Sequence, residues 1–461
     1  MAHTTPDSLR HAVVYQVFPR LHSESGDFAG VRRDLPRIRS LGTDVLYLMP
    51  VHPMGDGRDN RLGSPYGIHD HRAINPEYGT PDDLRRLVDE AHELGMRVIL
   101  DVVLHHLSAR SALAASKPEW FLKDATGKLT TKVPAWAGVA DLDYRHPDVW
   151  DYQIQTLRGL LELGIDGFRF DVVPLVPMDF WRRARAELDP AGEQLWLAES
   201  GFMRFVKKDK DLGILHHSDP ELHDVFDLTY DADGQEYLHA YFAGQAPLAE
   251  YLKQVYLQEV LYPAHAIKLR LLESHDDPRF AMKVREPHAL QCWTAFMTLL
   301  PGAMLLYAGQ EYALGRDREV GSRGQEHYHR ERHNVPWDGG DEAFFAFTRR
   351  LLACTREVKR ACRVCHVSQV TAGVVRIDWR GPDKAFAGIF NLENRFGEVP
   401  VPWKLAGRDA LGGKDVKIAG TYTIASQPVL LELDPATAPA AVDAGETFAL
   451  HGGANWASSD G

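Results

Sequence analysis

Amphipathic stretches ending in Leu-Gly, each followed at once by a short apolar run, recur along most of the chain. In TPDDLRRLVDEAHELG, Leu84, Leu87, Val88, Ala91 and Leu94 fall at helical spacing. Thr80 is placed to cap this helix, Pro81 suits its first turn, and Asp82 and Asp83 meet the positive end of the helix dipole. Gly95 supplies the left-handed residue that ends it, and MRVILDVVL follows directly. The same hinge closes RRDLPRIRSLG before TDVLYLMPV, and WDYQIQTLRGLLELG before IDGFRFDVV. Strands that are apolar on both faces lose alternation, as in a parallel sheet covered by helices on both sides.

Eight such runs are present: AVVYQVF (12–18), DVLYLMPV (44–51), RVILDVVL (97–104), DGFRFDVV (166–173), LWLAES (195–200), DVFDLTY (224–230), KLRLLES (268–274) and AMLLYAG (303–309). Alternating with helices, they predict an α/β chain built as a (β/α)8 TIM barrel, with its site at the C-terminal ends of the strands. A doubly wound sheet is the alternative, but no Gly-rich phosphate loop follows the first strand. The barrel is expected to occupy 1–106 and 148–362, and to end with the helix EAFFAFTRRLLACTREVKRAC. The stretch 107–147 is too long for an ordinary connection, and predicts a small inserted subdomain over the barrel mouth. Short alternating runs such as VVRIDW, FAGIFNL and QPVLLELD predict a C-terminal antiparallel β-sandwich over 363–435, with an Ala-, Gly- and Ser-rich tail over 436–461.

Composition narrows the function classes. The chain has 461 residues, 44% hydrophobic and 25% charged, with a formal net charge of −12. An acidic balance argues against nucleic acid or an anionic membrane surface as partner. No apolar window is long enough to span a bilayer, and MAHTTPDSLRHAVVYQ lacks the charged-then-apolar order of a signal peptide, so a cytoplasmic protein is expected. Cys362 and Cys365 form a C-x-x-C spacing with no second pair or His pair at metal spacing, so the four thiols are expected to stay reduced. No cofactor and no metal are expected.

The chemistry lies where acids interrupt the apolar strands. Arg169 and Asp171 in GFRFDVV are two residues apart and therefore share a strand face. LAES carries Glu199, LLESHDD carries His275 and Asp276, and DVVLHH runs from Asp101 to His106. Any one acid at a strand end could cap a helix or pair with an Arg. Three of them, on barrel strands four, five and seven, would converge on one mouth. Glycoside hydrolysis uses such a set: a carboxylate nucleophile or base, a carboxyl acid, and negative charge beside an oxocarbenium-like transition state.

In order along the chain, YQVFPR, LGTDVLYLMPVHPMG, SPYGIHDHRAINPEYGT, DVVLHH, VADLD, GFRFDVV, LAES and LLESHDDPR resemble the α-amylase family, glycoside hydrolase family 13. The resemblance implies Asp171 as nucleophile, Glu199 as general acid/base and Asp276 as the third acid. It implies that Arg169, His106 and His275 bind the sugar at the cleavage subsite, that Tyr66 stacks under it, and that Asp101 supports Arg169. Arg169 is expected to keep Asp171 ionised, while Glu199 needs a raised pKa. Departures from the family pattern are His105 where calcium-binding members have Asn, and Pro174-Leu175 where they have Lys-His. Only Asp141 stands where a calcium ligand would be, so the family's calcium site is expected to be absent. Gly67 follows Tyr66 where exo-acting relatives have Asp, and Arg279 is expected to lack that Asp as its partner. Together these favour a cleft open at both ends, unless Trp120 or Trp136 from the excursion roofs it. The expected function is retaining hydrolysis of α-1,4-linked maltodextrins. A 4-α-glucanotransferase, an exo-acting α-glucosidase and a non-catalytic glucan-binding protein are the alternatives.

Overall fold

The structure is a computed structural model that describes residues 5–54, 64–136, 138–315 and 335–436. All but the first residue of the expected tail lies outside them. Eight parallel strands close into a barrel: β1 (Val13–Val17), β2 (Val45–Leu48), β3 (Arg97–Val102), β4 (Gly167–Phe170), β5 (Leu195–Ala198), β6 (Leu228–Tyr230), β7 (Lys268–Arg270) and β8 (Ala303–Tyr307). Each pairs with its neighbours in sequence, and the ring shuts where Val13 of β1 pairs with Met304 of β8. These are the eight runs expected from the sequence.

Alternation along each strand sorts side chains between two apolar cores. Val14, Val45, Tyr47, Ile99, Leu195, Leu197, Leu228, Tyr230, Leu269 and Leu305 pack together inside the barrel. Their strand neighbours Val13, Tyr15, Leu46, Leu48, Phe168 and Phe170 belong to the larger core shared with the surrounding helices. Counting up the inward face of β4 gives Gly167, Arg169 and Asp171, and the same face of β3 gives Ile99 and Asp101. The interior thus turns from apolar to charged toward the strand C-termini.

Gly167 makes that stack possible. It sits at φ +148°, and a Cβ there would lie 2.0 Å from the Leu195 carbonyl oxygen of β5. Only a residue without a side chain lets β4 and β5 approach at this point.

After β3 the chain leaves the barrel. His106–Ser108 pairs antiparallel with Val139–Asp141, setting His106 opposite Asp141, and between them lie a short helix (Ala112–Ser116) and a 3-10 turn (Pro118–Trp120). The helix Pro147–Leu161 then returns the chain to β4.

At the other end, the helix Glu342–Ala361 leads into six antiparallel strands: β9 (Val364–Thr371), β10 (Val374–Arg380), β11 (Ala385–Asn391), β12 (Glu398–Asp409), β13 (Asp415–Thr423) and β14 (Val429–Leu433). They pair in one order, β9-β10-β11-β14-β12-β13. One face (Val375, Ile377, Trp379, Phe386, Phe390) joins the barrel's helical core, where the Trp379 indole N–H donates to the Leu299 carbonyl at 2.9 Å. Val374, Ala387, Ile389 and Leu431 on the other face share a second core with Val401, Leu405, Ile418 and Tyr422 of β12 and β13, so the sheet folds over on itself as a sandwich does. All four cysteines are free thiols, and no helix among the described residues is long and apolar enough to cross a membrane.

Gly167→Ala is expected to cost about 3 kcal/mol or more, seen as a large fall in melting temperature and soluble yield. Gly159→Ala, at an exposed position of the helix Pro147–Leu161 with nothing within 4 Å of the added Cβ, should be neutral or stabilise by about 0.5–1 kcal/mol. Equal melting points for Gly167→Ala and the parent would contradict the packing argument.

Candidate active site

Arg169 is fully buried at the barrel mouth, and three carboxylates gather on it. Its Nη1 donates to Asp101 Oδ1 at 2.9 Å and to Asp171 Oδ1 at 2.8 Å, and its Nη2 lies 3.2 Å from Glu199 Oε2. Sequence spacing explains two of these contacts. Arg169 and Asp171 share the inward face of β4, and Asp101 is the registered partner of Arg169 on β3. Glu199 follows β5, the other neighbour of β4, and its backbone N–H donates to the Phe170 carbonyl at 3.0 Å.

The residue after Asp171 is strained. Val172 has φ +46°, a left-handed conformation that a β-branched side chain adopts at a cost of order 1–3 kcal/mol. The turn aims the Val172 N–H at Glu199, donating to Oε2 at 2.8 Å.

A second layer fixes the rings. The hydroxyls of Tyr47 and Tyr66 donate to Asp101 Oδ2 at 2.5 and 2.9 Å. The Tyr66 hydroxyl also meets His275 Nε2 at 2.6 Å, and the two rings stack with centroids 5.2 Å apart. Gln16, buried on β1, holds the other His275 nitrogen through its side-chain amide at 2.7 Å. Asp276 stands at the rim, half exposed, with Oδ2 3.1 Å from His275 Nε2. His106 bonds to the backbone of Tyr66, while Trp136 of the excursion lies against it with centroids 5.2 Å apart. All seven residues expected to bind or transform the sugar, Tyr66, His106, Arg169, Asp171, Glu199, His275 and Asp276, thus meet at one mouth.

Three readings change. The first is the proton. Burial and the charge of Glu199 push Asp171 well above the usual carboxylate range against the pull of Arg169. Burial raises Glu199 too, but Arg169 and the Val172 N–H outweigh it and hold Glu199 low. Both directions run opposite to the expected order. The second is Arg279. It is buried and donates to Glu273 Oε1 at 2.7 Å and to the Ala308 carbonyl at 2.8 Å, so it does not lack a partner. The third is Trp120, which packs against Tyr152 outside the site, leaving Trp136 as the excursion tryptophan at the mouth.

Gln16 and Tyr47 escaped the sequence reading. Their signal was a polar group in the middle of an otherwise apolar strand, in VVYQV and VLYL.

The alpha amylase catalytic domain profile matches residues 7–366. The chain belongs to the alpha-amylase family. Among solved structures of this family, an alpha-amylase from Lactobacillus plantarum is 36% identical with a TM-score of 0.85, covering 93% of this chain and 100% of that one. The noncanonic maltogenic alpha-amylase AmyB from Thermotoga neapolitana is 30% identical with a TM-score of 0.79, covering 93% and 99%. Neopullulanase 2 from Thermoactinomyces vulgaris is 27% identical over 366 residues, 68% of this chain and 58% of that protein. The chain spans little more than half the length, or less, of the curated relatives it matches.

Among the described residues, one group of His, Cys, Asp or Glu side chains is placed to hold an ion, and it does not suit the calcium that alpha-amylase family membership implies: His105, His106 and Asp141, all buried, with ligating atoms within 4.8 Å of one another. Calcium takes six to eight oxygens, and this set offers two imidazole nitrogens and one carboxylate. Both imidazoles stay neutral, since burial lowers His106 to about 4 and holds His105 well below the ordinary range.

Gln16→Leu is expected to lower kcat on the order of 10- to 100-fold through loss of His275 orientation, with a melting temperature near the parent's. Parental kcat in this variant would show that His275 needs no such support.

Proposed function

We propose that this enzyme is a retaining hydrolase of α-1,4-linked glucans of the maltodextrin type. The observation that carries the reading is the pair Asp171 and Glu199 on one guanidinium. Two carboxyls held that close suit a covalent intermediate, whereas inversion needs a gap that admits a water between carboxyl and sugar.

Asp171 attacks the anomeric carbon while Glu199 gives its proton to the leaving glycosidic oxygen, forming a glycosyl ester and freeing the distal glucan. Glu199, now ionised, takes a proton from water, which displaces Asp171 and returns the α configuration. Asp276 faces the positive charge that develops on the ring, and neutral His106 and His275 bond its hydroxyls. Tyr66, already set flat against His275, offers the stacking face.

The cycle requires the proton on Glu199 and the charge on Asp171. A glycosidic oxygen arriving within reach of Glu199 accepts a hydrogen bond from the acid form and draws the proton there, while Arg169 stabilises the ionised Asp171.

Gly67 places no carboxylate behind the terminal sugar, and AmyB, a 30% identical structural relative, is described as maltogenic. Both support release of maltose and longer units over single glucoses.

The test is reducing-end-labelled maltoheptaose. The parent should release α-anomeric products by proton NMR, maltose or longer at first, with no products longer than the substrate. Asp171→Ala and Glu199→Gln should each lose on the order of a thousandfold or more in turnover. β-Anomers or parental turnover in either variant would refute the mechanism. Glucose alone would reassign the enzyme as an α-glucosidase, and elongated products as a glucanotransferase.

A further inference from the structure

Away from the mouth, a cavity of about 570 Å³ lies between the start of the helix Met178–Leu188 and the segment 215–224. None of the residues gathered at the mouth lines it. Its volume falls among those of small-ligand sites, roughly 300–1,000 Å³. The cavity and the mouth nevertheless share a wall. Leu215 and His217 line the cavity from the segment that follows Glu199, and the His217 N–H donates at 2.9 Å to the carbonyl of Pro174, three residues after Asp171. Pro177 lines the other side, three residues further on.

The lining joins apolar surface to hydrogen-bonding groups of both kinds. Met178, Leu215, Pro177, Pro220 and Pro263 supply the apolar part. At the edge Arg182 bridges two carboxylates, its Nε donating to Asp224 Oδ2 at 2.7 Å and its Nη1 to Asp179 Oδ1 at 2.9 Å. Among the described residues this leaves Arg182 Nη2, Asp179 Oδ2 and Asp224 Oδ1 without hydrogen bonds. Arg182 and Asp179 are 52% and 79% exposed, so the groups they leave over are within reach of a ligand from solvent. Inside, His265 uses Nε2 on the His223 carbonyl at 2.9 Å and keeps Nδ1 uncommitted, while His217 Nε2 is buried with no partner among the described residues. A buried polar atom left over in this way calls for a partner from outside the chain. A sugar hydroxyl both donates and accepts, and so matches a lining that offers guanidinium donors beside carboxylate and imidazole acceptors. An anion would meet the carboxylates of Asp179, Glu221 and Asp224, and a simple cation would meet Arg182.

We propose that this cavity is an accessory site for a short stretch of α-glucan, separate from the catalytic mouth and set against its wall. The choice of glucan rests on the hydrolase reading; the polyhydroxylated character of the ligand rests on the lining itself. A long glucan held here has a second attachment, which raises its effective concentration at the mouth. A short substrate occupies the mouth alone and gains nothing.

The experiment counts bound maltotriose by equilibrium dialysis with full-length Glu199→Gln, which turns over too slowly to consume it, and with the same chain carrying Arg182→Ala and His217→Ala as well. The first should hold two maltotrioses per chain and the second only one. In the active background, Arg182→Ala with His217→Ala should keep kcat and KM for 4-nitrophenyl α-maltoside within about twofold of the parent and raise KM for amylose about threefold or more. Arg182→Ala alone alters a half-exposed side chain and should shift KM for amylose in the same direction, so the test survives a double variant that circular dichroism shows to be misfolded.

Equal maltotriose uptake by the two dialysed chains would overturn the proposal, and so would a parental KM for amylose in the folded variants. A parent inactive on every α-glucan would instead sink the hydrolase reading. One maltotriose per chain that is lost with Arg182 and His217 would then still support the cavity as a sugar site, and no uptake would refute it.

Discussion

Arg169 has no solvent exposure, and Asp101, Asp171 and Glu199 converge on it from three adjacent strands. Removing the guanidinium would leave three buried or half-buried carboxylates facing one another, a loss of about 3–5 kcal/mol for a broken buried pair before any effect on chemistry. Burial of such a group is unfavourable by itself, and the surrounding bonds offset it. Asp101 receives both tyrosine hydroxyls as well as Arg169, and burial still raises its pKa to about 6. Charge balance is therefore tight in this mouth: three acids share one cation.

The fold exists around that constraint. A parallel barrel fills its lower interior with Val14, Val45, Ile99, Leu195 and Leu269, which seals the bottom and lowers the dielectric above it. Gly167 lets β5 close on β4, and the strained Val172 turns one more donor toward Glu199. Strain next to Asp171 is tolerated because the barrel over-determines the backbone there.

Much of this was legible in the sequence for physical reasons. Barrel strands are buried on both faces, so they stand out as uninterrupted apolar runs, and an acid within such a run has to be matched by a partner. The spacing of Arg169 and Asp171 fixes a shared face regardless of context. What could not be read depends on three-dimensional neighbours. One donor to Glu199 comes from Val172, whose positive φ has no signature in a Val. Arg279 finds Glu273, six residues upstream, only because the loop after β7 curls back.

The central claim is that Asp171, held by Arg169, forms the covalent bond while Glu199 handles the proton. The most direct measurement is mass spectrometry of the enzyme after brief exposure to a 5-fluoro-α-glucosyl fluoride, followed by peptide mapping. The account predicts one hexosyl-type adduct on Asp171, absent from Asp171→Ala and accumulating in the parent because the fluorine slows the second displacement. An adduct on Glu199 or Asp276, or no adduct in an enzyme that turns over its glucan substrate, would contradict it.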